Sequence, residues 1–324
     1  MPGYVPTTAA VLWAVLGGLA LLGTYGFVLQ RSARRWGRPL AWLVAVAVVW
    51  FAHRQLDGEG AGFRMLALVA LLAAAMKAVV AVEARLGGRP ALAPLGWTAF
   101  VAGWLGMQPR WFERRRLGAR AKSVLALLLR SVGWMVAGVL TWWLLRALYR
   151  ELGEPAWRWL STFAVVAFSM TMHFGVMGAH AALLRACGFQ VDPQFKAPWL
   201  AQNLREFWAL RWNLAFSTLT QLAVHRPLSR VAGDGGATAA GFLFSGLLHE
   251  VACSVPVMAG FGWPTAYFAL HAVAVAAEDL LARRGVRIGG AWGRAWTFAW
   301  LLAPLPLLFH EPFARGVLLP LLQA

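Results

Sequence analysis

The chain has 324 residues, of which 60% are hydrophobic and only 13% charged. That composition excludes an ordinary soluble domain, because the apolar residues come in long blocks that must satisfy their own backbone hydrogen bonds, as membrane helices do. The 30 Lys and Arg outnumber 13 Asp and Glu, giving +17, but they punctuate the apolar blocks and form no continuous soluble face. They therefore read as topology signals and attraction to anionic lipid, and they argue against nucleic-acid binding.

In chain order, apolar runs predict helices at roughly 9–29, 40–53, 63–82, 123–149, 157–184, 238–258, 264–282 and 295–309. Two further stretches, 92–108 and 206–224, are shorter than the about 20 apolar residues a full span needs, or carry charges. An apolar tail runs from Phe313 to Leu322. The first run has no basic segment before it, and Arg31, Arg34 and Arg35 follow it. This predicts an uncleaved anchor with its N-terminus outside.

Basic loops order the rest. Arg31 to Arg38 and Arg110 to Lys122 both read as cytoplasmic, so 40–53 and 63–82 cross while 92–108 dips in and returns. Three later groups are Arg185, Lys196, Arg205 and Arg211, then Arg226 and Arg230, then Arg283, Arg284, Arg287 and Arg294. All reach the cytoplasm only if 206–224 does not fully cross, which predicts a half-buried or re-entrant helix there. Gly153-Glu154-Pro155 and Gly233 to Gly236 are the clearest breakers. With no internal repeat or long linker, residues 1–324 read as one multi-pass domain of a cell (inner) membrane.

His249 stands near the middle of the run Ala237 to Met258, beside Glu250. Ionisable residues in membrane spans are rare and usually mark a functional path. Adjacent helical residues diverge by about 100°, so Glu250 is not expected to contact His249. The segment Gly188 to Asn213 mixes prolines, amides, rings and cations. Phe207, Trp208, Arg211 and Trp212 recur at helical spacing, which places rings and a guanidinium on one face. On composition alone, an interfacial aromatic belt with a snorkelling Arg is the favoured explanation of that face. Asn213, at the mouth of an apolar run, can serve as an orienting donor. His271 and Glu278 lie two turns apart on one face. His173 and His180 share another, about 10 Å apart, too far to chelate one metal together.

Absences narrow the chemistry. Position 253 after His249-Glu250 is Cys, so there is no zincin pair. There are no clustered histidine boxes, no Walker A loop and no G-x-S-x-G elbow. Cys187 and Cys253 make neither a disulfide framework nor a zinc module.

Three segments together resemble the wax synthase branch of the membrane-bound O-acyltransferases. They are Pro193-Gln194-Phe195 through Phe207-Trp208 to Arg211-Trp212-Asn213, then Ser245-Gly246-Leu247-Leu248-His249-Glu250, then Phe268 to His271 with Glu278. The likeness covers about 185–282; the N-terminal spans, 9–184, match only as apolar runs. It departs at Ala209, where a Gly is expected, and at Asn203, where a small hydroxyl residue is expected. The resemblance implies an all-α polytopic bundle of about 8–10 transmembrane helices enclosing a tunnel, with re-entrant or interfacial helices. It implies transfer of a fatty acyl group from acyl-CoA, a co-substrate, to a lipophilic alcohol such as a fatty alcohol, sterol, terpenoid alcohol or diacylglycerol. No metal or resident cofactor is implied, and membrane lipid is the surrounding partner.

On that footing His249 and Asn213 are the catalytic pair. His249 takes the hydroxyl proton and Asn213 orients the donor or holds the oxyanion. Lys196, Arg205, Arg211, Arg226 and Arg230 are candidates for the CoA phosphates at the cytoplasmic face. Trp199, Trp208 and Trp212 are expected along the thioester passage, with Phe207, His271 and Glu278 near the substrate. The rival reading is a proton-coupled transporter with a relay through His173, His180, His249, Glu250, His271 and Glu278. That reading expects an inverted repeat with paired broken helices, which the chain does not display.

Overall fold

A computed structural model describes residues 2–32, 36–116, 118 and 121–323. Arg34 and Arg35 of the first basic loop lie outside the described residues. Among those described the fold is all-helical, with fifteen α-helices and no strand.

Helices α1 (Ala9–Arg31), α2 (Gly37–Gln55) and α3 (Ala61–Leu86) form the first layer, and α3 is its buried axis. Helix α2 meets α3 through Gly37, Ala41, Ala45 and Ala52, small residues that let helix backbones approach. Its opposite face carries exposed Leu43, Val46, Trp50 and Phe51. An apolar face of that kind belongs against lipid.

Helix α4 (Pro94–Val101) has only eight residues, too few to span a bilayer. Three contacts tie it down. The Gln30 side chain bonds both Leu92 N–H and C=O, and Trp97 Nε1 donates to Gly23 C=O at 2.9 Å. Lys77, fully enclosed in α3, donates to the carbonyls of Phe100 and Gly106 at 2.8 and 2.9 Å. An ammonium group in an apolar interior needs such acceptors. Here it stitches an irregular segment to the central helix.

Helix α5 (Ala121–Leu152) pairs with a second long element. There α6 (Trp157–Phe168) continues through a π-helical turn, Ser169–Val176, into α7 (Met177–Ala186). An irregular stretch then leads to α8 (Leu204–Glu206), a π turn at Phe207–Arg211, and α9 (Leu214–Thr220). Another π turn, Gln221–His225, joins α10 (Arg226–His249), and a further one, Glu250–Ser254, follows it.

The stretch from Leu214 to Val257 is not one rod. Gly233 has φ 66° and ψ 175°, a conformation essentially reserved for glycine. A Cβ placed on Gly241 would stand 2.6 Å from Thr220 Cγ2. In a continuous helix those residues would be about 31 Å apart. The chain has folded back at Gly233 into a helical hairpin whose tip is exposed.

Helix α11 (Trp263–Arg283) packs on the second arm, and α12 (Gly290–Leu302) with α13 (Leu305–Leu308) follows. The tail bends by 71° into α14 (Glu311–Phe313), a π turn at Ala314–Leu318, and α15 (Leu319–Gln323). All eight expected spans are helical. Among the described residues six helices are long and apolar enough to cross a membrane, or seven if the bent terminal pair is one span. This is fewer than the eight to ten expected. Charged ends keep α2 short of a full apolar span, and residues 290–323 are broken into pieces.

Candidate active site

A cavity of about 790 Å³ runs through the bundle. On the second hairpin arm its wall is a helical stripe, formed by Thr238, Gly241, Phe242, Ser245, His249, Ala252 and Cys253. That stripe is about 22 Å long at 1.5 Å per residue. Toward the hairpin tip the wall is more polar: it carries Ser217, Thr220 and Gln221 of the first arm and Thr238 of the second, with Thr220 set against Gly241. The other end is apolar, lined by Phe313, Val317 and Leu318 among others. All five π-helical turns among the described residues contribute to this wall. A π turn inserts a residue and re-aims the side chains around it, and such turns recur at functional sites.

His249 ends α10, between the two ends of the cavity. Its Nδ1 lies 2.7 Å from the carbonyl of Ser245. A carbonyl only accepts, so Nδ1 carries the proton and, in the neutral ring, the lone pair falls on Nε2. The ring is held between Phe216 and Phe268, with centroids at 5.4 and 4.5 Å. Helix α11 can bring Phe268 this close because Gly246 faces Thr265, where a Cβ would lie 2.8 Å from the Thr265 Cα.

Asn213 sits in the left-handed region, φ 42° and ψ 64°, between the Phe207–Arg211 turn and α9. Its Oδ1 accepts from Phe216 N–H at 3.3 Å and caps α9. That leaves the amide NH₂ of a cavity-wall residue without a hydrogen-bond partner among the described residues. Phe216 thus touches both members of the expected pair, through its N–H and through its ring. Phe207 and Trp212 stack at 5.4 Å and 14°, His173 extends the aromatic wall, and Phe195 packs against both His173 and Trp212. Trp208 also lines the cavity, and its indole N–H is buried without a partner, as is Nδ1 of His173.

Glu250 turns away from His249, as helix geometry requires. Its Oε1 accepts from the N–H groups of Gly262 and Thr265 and from the Thr265 hydroxyl, at 3.0, 3.0 and 2.7 Å. The residue following His249 therefore pins the start of α11, the helix whose Phe268 presses on the imidazole. We expect Glu250→Ala to lower turnover and melting temperature together. Glu250→Gln keeps an oxygen acceptor in the same place and should retain most of both. Loss of turnover in the Gln variant at unchanged stability would show that the charge itself is required.

The structure sorts the expected cations. Arg211 does not share a role with the neighbouring rings. Its guanidinium lies 2.6 Å from Glu206 and also reaches the carbonyls of Lys196 and Ala197, outside the cavity wall. Burial alone would raise the Glu206 carboxyl, but the Gln202 N–H and the Arg211 guanidinium outweigh it, and the group titrates below the usual carboxylate range. Lys196 pairs with Asp192 at 2.9 Å. Arg205 lines the cavity and is paired with Asp279. Arg226 and Arg230, exposed near the hairpin tip, have no ion pair among the described residues. Asn203 caps α8 by accepting from Glu206 N–H at 2.7 Å, the task a hydroxyl would perform.

His271 and Glu278 stand behind the cavity wall. His271 is fully enclosed, with Nδ1 on the Tyr267 carbonyl at 2.8 Å and its ring edge-on to Trp208 at 5.3 Å. Glu278 accepts from the N–H groups of Leu204 and Arg205 and from Trp296 Nε1. It anchors α8 to α11, beneath the aromatic wall. His173 reaches the cavity, whereas His180 packs edge-on against Trp104 at 5.6 Å. Among the described residues no cluster of His, Cys, Asp and Glu is arranged to hold a metal ion.

Residues 191–270, which contain both Asn213 and His249, match the Membrane bound O-acyl transferase family. The chain is 37% identical over 112 residues to the long-chain-alcohol O-fatty-acyltransferase of Simmondsia chinensis, covering 32% of each chain. It is 34% identical over 116 residues to the probable long-chain-alcohol O-fatty-acyltransferase 1 of Arabidopsis thaliana, covering 33% of each. A third relative, acyl-CoA–sterol O-acyltransferase 1 of Arabidopsis thaliana, is 34% identical over 84 residues, or 24% of each chain. The aligned part spans about a third of the first two relatives' length.

Proposed function

We propose that this chain is a membrane O-acyltransferase of the wax-synthase type, moving an acyl group from acyl-CoA to the hydroxyl of a lipophilic alcohol, with His249 as general base. One observation carries the reading. An imidazole of fixed tautomer and an asparagine with an uncommitted NH₂ face one largely apolar cavity, inside the segment that matches the acyltransferase family.

Each step follows from the residues. The alcohol oxygen attacks the thioester carbonyl as its proton passes to His249 Nε2. Negative charge gathers on the former carbonyl oxygen, where the Asn213 NH₂ is the available donor. Collapse of the tetrahedral species breaks the carbon–sulfur bond. The departing thiolate recovers the proton from the imidazolium, so His249 ends as it began. The thioester is already activated, and no covalent enzyme intermediate is needed. The aromatic wall excludes water, which would otherwise hydrolyse the donor.

The donor's phosphates fit the polar end of the cavity. Arg226 and Arg230 stand beyond Thr220, Gln221 and Thr238, while Lys196, Arg205 and Arg211 already face carboxylates. Reversing both free charges, Arg226→Glu with Arg230→Glu, should raise the KM for acyl-CoA about tenfold or more and leave kcat within about twofold, as loss of uniform binding does. An unchanged KM would remove these two from donor binding.

The test of the whole reading is turnover. Purified protein in lipid, given radiolabelled acyl-CoA and a panel of fatty alcohols, sterols, terpenoid alcohols and diacylglycerol, should form a labelled ester with at least one class. Labelled free fatty acid alone, or no product with any acceptor, would sink it.

A further inference from the structure

We infer that Tyr4 is the end-stop of the apolar half of the cavity and sets the longest aliphatic chain the site accepts. The inference rests on the reading of this cavity as the place of acyl transfer, and it concerns what closes the cavity beyond His249.

The chain before α1 does not trail away. It crosses the start of α3 and is fixed at three points. A Cβ on Gly60 would stand 2.7 Å from Gly3 Cα, so the two backbones are in contact there. The Tyr4 ring lies flat on Gly62, where a Cβ would stand 2.7 Å from three of its carbons. Only glycine at 62 leaves room for the ring. Thr7 then gives both its N–H, at 2.8 Å, and its hydroxyl to Glu59.

The Tyr4 hydroxyl reaches across to the other terminus, donating to the carbonyl of Val317 at 2.6 Å. Val317 belongs to the π turn Ala314–Leu318, which opens carbonyls that an α-helix would occupy. Burial pushes the phenol up to about 12, so the hydroxyl remains a donor at any ordinary pH. Two terminal segments 313 residues apart are thereby latched by one side chain.

That side chain is part of the cavity wall. Tyr4 lines it together with Met65, Phe313, Val317 and Leu321. On the stripe that carries His249, Ala252 and Cys253 lead toward this group, away from the polar tip. A chain whose reacting end is at His249 and whose tail runs down the apolar half therefore ends against the Tyr4 ring. A ring held flat on a backbone and tethered at its tip cannot swing aside as a leucine would. It is suited to a sharp length limit.

The experiment compares wild type, Tyr4→Ala, Tyr4→Trp and Leu321→Trp in lipid nanodiscs. Acyl-CoA length is varied against one alcohol, then alcohol length against one donor; the arm whose profile moves identifies the chain that occupies the apolar half. For chains just beyond the wild-type limit, Tyr4→Ala should raise relative kcat/KM about fourfold per methylene newly admitted, the value of one buried CH₂. Tyr4→Trp and Leu321→Trp should move the limit to shorter chains. Leu321→Trp keeps the test open if the Tyr4 variants do not fold. Photoreactive alkyl probes of graded length, cross-linked without turnover, give a second readout. If no ester forms but the probe profile shifts, the end-stop stands and the acyltransferase reading fails. If esters form with one length profile in all four proteins, Tyr4 only anchors the N-terminal segment and the inference is overturned.

Discussion

Changing His249 to alanine is expected to abolish measurable ester formation, a loss of about 10²–10⁴-fold, while the protein stays folded in lipid. The two halves of that expectation have separate grounds. The chemical half follows from the tautomer. With Nδ1–H committed to the Ser245 carbonyl, Nε2 is the lone pair available to a hydroxyl in the cavity. The stability half follows from location. The variant loses one hydrogen bond, worth about 1 kcal/mol, and the ring contacts with Phe216 and Phe268. The deleted ring already borders an open cavity, so its removal enlarges that space and creates no new sealed void. The measurement is kcat with the preferred alcohol, set beside a thermal midpoint and acyl-CoA binding on the same preparation. Turnover within tenfold of wild type, in a folded variant, would remove His249 as the base.

What the sequence made legible followed from local rules. Apolar runs located all eight expected helices because a bilayer tolerates little else. That 92–108 holds no full span was readable from its length. His249, in the middle of one apolar run, and Asn213, at the mouth of another, were conspicuous as polar groups, and the structure brings both to one cavity. Pairing was harder to read. Arg211 was grouped with phosphate-binding cations, yet its guanidinium closes on Glu206, five residues earlier. Glu278 shares a helical face with His271, as expected, but is occupied by backbone N–H groups 73 and 74 residues away. Such partners are set by tertiary approach, which no periodicity reports. The π turns escaped for another reason. One inserted residue shifts the phase of a helix without altering its composition. The stripe Thr238, Ser245, His249 was available as a polar face at spacings of seven and four. Tyr4 was not, since its meaning depends on a residue at the far end of the chain.

Asn213→Gly should lower kcat by about 10²–10³-fold with almost no loss of stability, the cost of removing one preorganised donor from a developing oxyanion. Glycine is the informative replacement because this residue has three separable tasks. Its backbone occupies the left-handed region, which glycine adopts freely and alanine enters at about 1–2 kcal/mol. Its Oδ1 caps α9; replacing a cap by alanine costs about 1 kcal/mol, whereas glycine costs only a few tenths. Its NH₂ has no partner among the described residues and is the only one of the three assigned to chemistry. Asn213→Ala would damage all three, and low activity could then reflect a displaced turn beside Trp212. Asn213→Asp keeps the turn and the cap but sets an acceptor where a donor stood. The glycine and aspartate variants should therefore match wild type in melting temperature and both fail in turnover. With KM for the donor little changed, the loss would lie in the transition state. A glycine variant that keeps more than a tenth of wild-type kcat would confine Asn213 to holding the turn, and would leave the buried indole N–H of Trp208 as the next donor in the wall to test.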